Sequence, residues 1–297
     1  MATSLPSKIL IIGATGAIGK HISSAIASAS LQSVSRVSIF TSAATASNPE
    51  KEPILSAWKQ KGLFVITGDI RNPQDVRTAY QDIDTVVCCL GRTALLEQIE
   101  LLRIADEEAS SVQWFFPSEY GTDIEYDASS KSEKPHQNKL KVRAAIRDEI
   151  KKLKITYVVT GPYADMFLDF KPGHESAGGF DAKTHKAVLI GDGNDKVGLT
   201  TMPDVGKLVV AALAHPEASM NKALKFEAQT GAQFDVQYTA MDALEADEKK
   251  AWEKGDPAAA LGKTLYDQTD NEALGLAPQD MEPLSAVVQR AIHGENQ

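Results

Sequence analysis

Cysteine is nearly absent. The two cysteines of this 297-residue chain, Cys88 and Cys89, are adjacent inside an apolar stretch. No disulfide framework and no spaced CxxC metal set can be written from them. They read as two buried thiols in a reducing, cytoplasmic setting, with a vicinal disulfide as the remote alternative. No apolar run reaches about 18 residues, which excludes a membrane-spanning helix. No basic segment precedes a short apolar run near the start, so no secretory signal is expected. Excess positive charge is also missing. The net charge of −9 argues against a general nucleic-acid binder. Residues 131–154 do hold nine Lys/Arg against three acids, which reads as a solvated helix face. HExxH and GxSxG are absent, and His174, His185 and His215 lack metal-ligand spacing.

What is present centres on residues 8–20, KILIIGATGAIGK. Lys8 to Ile12 is a short β-branched run that fits a strand buried on both faces of a parallel sheet. Gly13, Gly16 and Gly19 follow, and from Ile18 the apolar spacing turns helical through Ile22 and Ile26. Strand, glycine turn and helix form the context of a dinucleotide-binding turn. The glycines serve the sharp turn, the close approach of a pyrophosphate and the helix–strand packing, and the helix N-terminus offers free N–H groups. A Walker A loop is excluded, because Ala14 and His21 stand where Gly and Ser or Thr are needed.

Strands and helices then alternate. Strands are expected at 36–40, 63–67, 84–90, 112–116 and 155–160. Helices are expected at about 17–30, 54–61, 93–109 and 135–153, with a short one opened by Pro73. This is α/β, a doubly wound parallel sheet. Such sheets bind ligands beyond the carboxyl ends of their strands. Six segments fall there: Gly13–Gly19, Thr41-Ser42, Asp69-Ile70, Leu90-Gly91-Arg92, Pro117–Gly121 and Gly161–Tyr163. Beyond, residues 171–186 read as loop or hairpin, 187–191 as a strand, Asp192-Gly193 as a turn, and 200–214 as the lead into a helix. Helical patches are expected near 240–254 and 281–293.

An NAD site usually ends the second strand with Asp or Glu, to hold the ribose hydroxyls. Here that point is Thr41-Ser42. Hydroxyls donate to a 2′-phosphate that a carboxylate would repel, so NADPH is expected over NADH. No arginine follows the strand directly, which leaves Arg36 or Lys51 to supply positive charge.

GATGAIGK, the WFFPSEYG stretch at 114–121, HQNKLKVRAAI at 136–146 and the segment 192–216 together resemble the isoflavone reductase-like and NmrA-like branch of atypical short-chain dehydrogenases, the last segment its fungal members. The resemblance implies an N-terminal Rossmann domain, residues 1–165 with part of 187–225 returning to it, and a smaller α/β substrate domain at 166–297. It implies NADPH and a small phenolic or aromatic secondary metabolite as substrate. Some relatives instead bind the nucleotide as sensors without turnover. By motif match, Gly13, Thr15, Gly16, Ala17, Ile18 and Gly19 would hold the pyrophosphate. Thr41 and Ser42 would face the 2′-phosphate, and Asp69 and Ile70 the adenine. Leu90, Gly91, Arg92, Pro117, Ser118, Gly161, Pro162 and Tyr163 would line the nicotinamide half. Lys139 matches the family's active-site lysine, as proton donor and ribose anchor, with Ser118 a second catalytic candidate and Glu119 beside it. His136 lies one turn before Lys139 as a relay candidate. Tyr120, Tyr163, Met166, Phe167 and Phe170 would wall the substrate pocket. A homodimer is a further expectation. The YxxxK pair of other short-chain dehydrogenases is missing: none of the seven tyrosines has a lysine four residues on, and Pro135 occupies the place of that Tyr. Residues 221–236 look short for the family, which implies a trimmed substrate domain and a more open pocket.

Overall fold

The structure is a computed structural model. It describes residues 5–126, 128–167, 179–181, 186–190, 199–225, 235–239, 272–276, 280–282, 286–287 and 290. The chain runs β1 (Lys8–Ile12), α1 (Gly19–Ser28), β2 (Arg36–Thr41), α2 (Ala43–Ala46), α3 (Glu52–Gln60), β3 (Phe64–Thr67), α4 (Pro73–Ala79), β4 (Thr85–Cys88) and α5 (Glu97–Asp106). It continues through β5 (Trp114–Phe116), α6 (Ala128–Ser132), α7 (Gln137–Glu149), β6 (Lys154–Val159), α8 (Ala164–Phe167), β7 (Gly179–Asp181) and β8 (Lys186–Ile190). Then come α9 (Met202–Ala214), α10 (Pro216–Ser219), β9 (Lys222–Lys225) and β10 (Asp235–Thr239).

The continuous apolar run of β1 finds both faces covered: Ile9, Leu10, Ile11 and Ile12 are all fully buried. Alternation along the strand sends Ile9 and Ile11 into one core and Leu10 and Ile12 into the other. The first core lies under α1 and α9, the second under α4, α5 and α7. Cys88 belongs to one and Cys89 to the other, and both are free buried thiols. Two side chains on opposite faces of a sheet cannot bridge, so the vicinal disulfide drops out.

Seven parallel strands form the main sheet, in the order β3-β2-β1-β4-β5-β6-β9. The order reverses between β1 and β4, so the crevice of this doubly wound sheet lies above that junction. A second, three-stranded sheet has the order β10-β8-β7, with β7 and β8 an antiparallel hairpin and β10 parallel to β8. Thus β8, expected at 187–191, sits outside the main sheet, whereas α9 and β9 belong to its layers. Helix α9 packs on α1 so closely that a Cβ on Gly206 would lie 2.6 Å from the His21 carbonyl oxygen. Between β9 and β10, residues 226–234 lie outside the described residues. So do Phe170, the Asp192-Gly193 turn, the 240–254 patch and most of 281–293. Among the described residues no helix is long and apolar enough to cross a membrane.

Candidate functional site

The chain leaves β1 through Gly13, whose φ of +79° only glycine adopts without strain. A Cβ there would also lie 2.6 Å from the Cys89 carbonyl oxygen. Gly13 therefore lets the turn press against the end of β4, directly over the switch point. A Cβ on Gly19 would collide with the Gly13 carbonyl oxygen, so the third glycine lets α1 begin close beneath the turn. Among the described residues, the N–H groups of Ala17, Ile18 and Gly19 have no hydrogen-bond acceptor. The first turn of α1 carries no acidic residue and no side-chain cap. Gly16 and Ala17 are exposed and Thr15 half-buried. Three free donors, the positive end of a helix dipole and a backbone clear of side chains suit an anionic pyrophosphate.

Neighbouring strand ends join this turn. Ser118 is buried after β5, and its hydroxyl donates to the Leu90 carbonyl at 2.9 Å. Its N–H donates to Gln98 Oε1 at 2.7 Å, and Gln98 Nε2 donates to the Leu95 carbonyl at 3.1 Å. Ser118 is thus a brace between the ends of β4 and β5. Gln98 is a positioning residue that the motifs miss. A signal existed: it is a polar residue on the apolar stripe of Leu95, Leu101, Leu102 and Ala105, and it is 1% exposed.

The loop after β5 is pinned by nearly every carbonyl. Pro117 O accepts from Glu119 N at 2.8 Å, and Gly121 O accepts from Thr160 N and Gly161 N at 2.9 and 3.0 Å. Tyr120 O accepts from the Tyr163 hydroxyl, and Glu119 O accepts from Lys139 Nζ. Lys139 is half-buried in the first turn of α7. Burial pulls its ammonium below the usual lysine value. The Glu119 charge opposes that shift, and Arg143 and Arg92 add to it. Gly121 leaves room here, since a Cβ on it would sit 3.5 Å from Lys139 Nζ.

One turn on, Arg143 is buried and grips the buried Glu119 carboxylate at 2.9 and 3.3 Å. It also meets Glu125 at 3.0 Å and Asp123 at 3.5 Å, and lies 4.7 Å over the Tyr157 ring. These partners hold Arg143 charged, well above its ordinary value.

Other expected residues fall elsewhere. Tyr120 is 5% exposed and packs in the core under α1 and α9. Its hydroxyl is buried without a hydrogen-bond partner. Met166 is 59% exposed, Phe167 lies in α8, and Pro162 and Tyr163 are half-buried before it. His136 is buried rather than at the surface, with Nδ1 2.6 Å from the Ser130 carbonyl oxygen and Nε2 3.0 Å from the Thr122 hydroxyl. Those bonds tie the start of α7 to α6 and to the loop after β5. Ser42 caps α2, accepting from Thr45 N at 3.1 Å, and Gly68 N donates to Thr41 O at 3.0 Å. Asp69 is exposed and accepts from Arg71 N at 2.9 Å, while Ile70 packs on the second core. Leu90 is half-buried; Gly91 and Arg92 are exposed. Arg36 opens β2, at the edge opposite the glycine turn, and binds Ser38 there at 3.2 Å. It cannot serve a phosphate beyond the other end of the strand. Among the described residues no His, Cys, Asp and Glu cluster could hold a metal ion.

A doubly wound sheet, a glycine turn at its switch point and a lysine braced beside it define a protein of the Rossmann-type nucleotide-binding class. The NmrA-like family profile matches residues 6–236, and the chain belongs to that family. It is 32% identical to isoflavone reductase of Pisum sativum over 75% of this chain and 70% of that protein. Among solved structures, it is similar to an isoflavone reductase with a TM-score of 0.74 and 24% identity, covering 91% of this chain and 95% of that one. It is also similar to the leucoanthocyanidin reductase–NADPH complex of Vitis vinifera, with a TM-score of 0.74 and 20% identity over 97% and 100% of the two chains.

Proposed function

We propose that the chain is an NADPH-dependent reductase of a small apolar or aromatic secondary metabolite, with a conjugated C=C, a C=N or a benzylic ether as the reducible group. The observation that carries this reading is Lys139, a half-buried ammonium held by a loop carbonyl next to the switch point. Family membership and the reductase relatives support it.

In this reading the free N–H groups of Ala17, Ile18 and Gly19 bind the pyrophosphate. Thr41 and Ser42 face the 2′-phosphate, with Lys51 supplying charge in place of Arg36, and Asp69 and Ile70 border the adenine. NADPH, when bound, supplies the hydride. Lys139 holds the proton that completes the reduction and anchors a ribose hydroxyl. Burial lowers its proton affinity, the direction that favours donation. Gly121 leaves Lys139 space to meet a ligand, and Tyr163 and Met166 border the substrate. Residues 1–165 with 202–225 form the cofactor unit, and the strands of the small sheet belong to the substrate unit.

The test is NADPH consumption against a panel of enones, imines and benzylic ethers, with wild type and Lys139→Ala. Turnover in the wild type and a loss of about 10²–10⁴-fold in kcat in the variant are expected. Full turnover in Lys139→Ala removes Lys139 from the mechanism. A second reading is an NADP(H) sensor without turnover. It is favoured by the hydroxyls of Ser118 and Tyr163, both committed to backbone carbonyls. Tight NADPH binding with no consumption across the panel selects it.

A further inference from the structure

Glu119 is held twice by one face of α7. Lys139 donates to its backbone carbonyl, and Arg143, at i+4, takes its carboxylate with two N–H groups at 2.9 and 3.3 Å. The carboxylate and guanidinium are 1% and 5% exposed. Burying an ion pair this deeply is costly and is weak evidence for a stabilising role, since an apolar pair of similar volume often serves stability as well. What an apolar pair cannot supply is a fixed charge of each sign beside Lys139. The guanidinium is also fixed from its far side, by Glu125 at 3.0 Å, Asp123 at 3.5 Å and the Tyr157 ring. Asp123 is in turn held by Lys225 at 3.2 Å, and Glu125 by Arg147 at 3.0 Å. The clamp therefore runs on to Tyr157 on β6 and Lys225 on β9, and through Glu125 to the exposed Arg147 of α7.

We propose that Glu119 and Arg143 are positioning residues that together set where the Lys139 ammonium sits and how readily it releases its proton. The proposal deepens the reductase reading, in which Lys139 is the proton-bearing group. Charged or titratable groups acting on Lys139 are Glu119 from the loop, Arg143 and His136 on either side along the chain, and Arg92 from the end of β4. Glu119 favours the charged ammonium and the two arginines oppose it. His136, held neutral by burial, adds little charge. The two partners of the clamp thus act on Lys139 with opposite sign.

The experiment reads Lys139 directly. Folded protein without cofactor is labelled with trace acetic anhydride across pH, and acetylation of the Lys139 peptide is quantified by mass spectrometry. Glu119→Gln, which keeps the side chain's shape, is expected to lower the labelling midpoint by about one pH unit. Arg143→Gln, which removes a cation and leaves Glu119 unpaired, is expected to raise it by a similar amount. Arg143→Lys keeps the charge but not the two-pronged grip. It is expected to hold the midpoint near wild type while kcat falls and KM stays. Unmoved midpoints, or shifts of the same sign, overturn the proposal even if stability drops. Should Arg143→Gln fail to fold, the midpoint of Glu119→Gln decides: downward supports the clamp, unchanged or upward overturns it. Because labelling needs neither NADPH nor substrate, absence of turnover in the wild type would sink the reductase reading while leaving this result readable.

Discussion

Gly13 shows how much can rest on one missing side chain. Its φ of +79° and the 2.6 Å separation between a would-be Cβ and the Cys89 carbonyl oxygen are independent penalties. Gly13→Ala should therefore cost about 2–4 kcal/mol of folding stability, combining backbone strain with displacement of the β4 end. The same displacement moves the floor of the pyrophosphate cradle, so NADPH affinity should fall at least tenfold. Urea denaturation and NADPH fluorescence titration measure the two effects. Gly62, with φ of +87° but no atom within 4 Å of a would-be Cβ, is the control. Gly62→Ala carries only the strain and should leave NADPH binding unchanged. Equal losses of affinity in both variants would show that contact with Cys89 is not what shapes the cradle.

At the scale of elements, the entry to α7 depends on a histidine kept neutral. His136 Nδ1 faces a carbonyl oxygen and must donate, so Nε2 accepts from Thr122. Burial lowers its pKa from 6.5; the hydrogen bond to Ser130 resists that, and Lys139, Arg143 and Arg92 reinforce it. His21, on α1, is lowered too, by burial first and then by Lys20. The unfolded chain thus binds protons below pH 6.5 that the native state refuses, so stability falls as pH drops through that value. Denaturation midpoints at pH 7.5 and 5.5 should show the loss. For His136 alone the slope is at most about 1.4 kcal/mol per pH unit. His136→Gln should be less stable at pH 7.5 yet lose less on acidification; an undiminished acid loss would place its origin elsewhere. The element pattern itself was legible in the sequence because its causes are local. The β1 run, the glycine spacing and the i,i+4 relation of Lys139 and Arg143 all act over a few residues. Helix ends were read too generously, as with 135–153 against Gln137–Glu149, because apolar spacing persists past the last helical bond. The partners of Ser118 were not legible. Leu90 is 28 residues away and Gln98 is 20, and only strand order brings them together. The packing of Tyr120 was not legible for a similar reason: a tyrosine beside a site motif says nothing about which face of the loop its ring takes.

At the scale of the whole molecule, residues far apart in the chain close one polar cluster between the site and the late segment. Arg290 reaches Asp165 at 2.9 Å, across 125 positions, and also grips Glu282. Glu282 N donates to both oxygens of the fully buried Asp204, at 2.8 and 2.9 Å, and Lys207 lies 2.7 Å from Asp204. Asp165 also accepts from Met202 N at 2.7 Å. The start of α9, the helix α8 beside the site, Glu282 and Arg290 are therefore fastened together. Arg290→Met leaves Asp165 and Glu282 without their shared cation. Breaking a buried pair costs about 3–5 kcal/mol, and an Arg290 side chain 23% exposed brings that down to about 1–3. In the proposed reading the pyrophosphate cradle is built by β1 and α1, whereas the hydrogen bonds of this cluster join α8, α9, Glu282 and Arg290. NADPH affinity should then stay within about twofold while KM for a reducible substrate rises severalfold, if α8 borders the substrate as the proposed function has it. A parallel loss of NADPH affinity would mean that α1, reached through its packing against α9, moves with the cluster, and that cofactor and substrate sites share one mechanical unit.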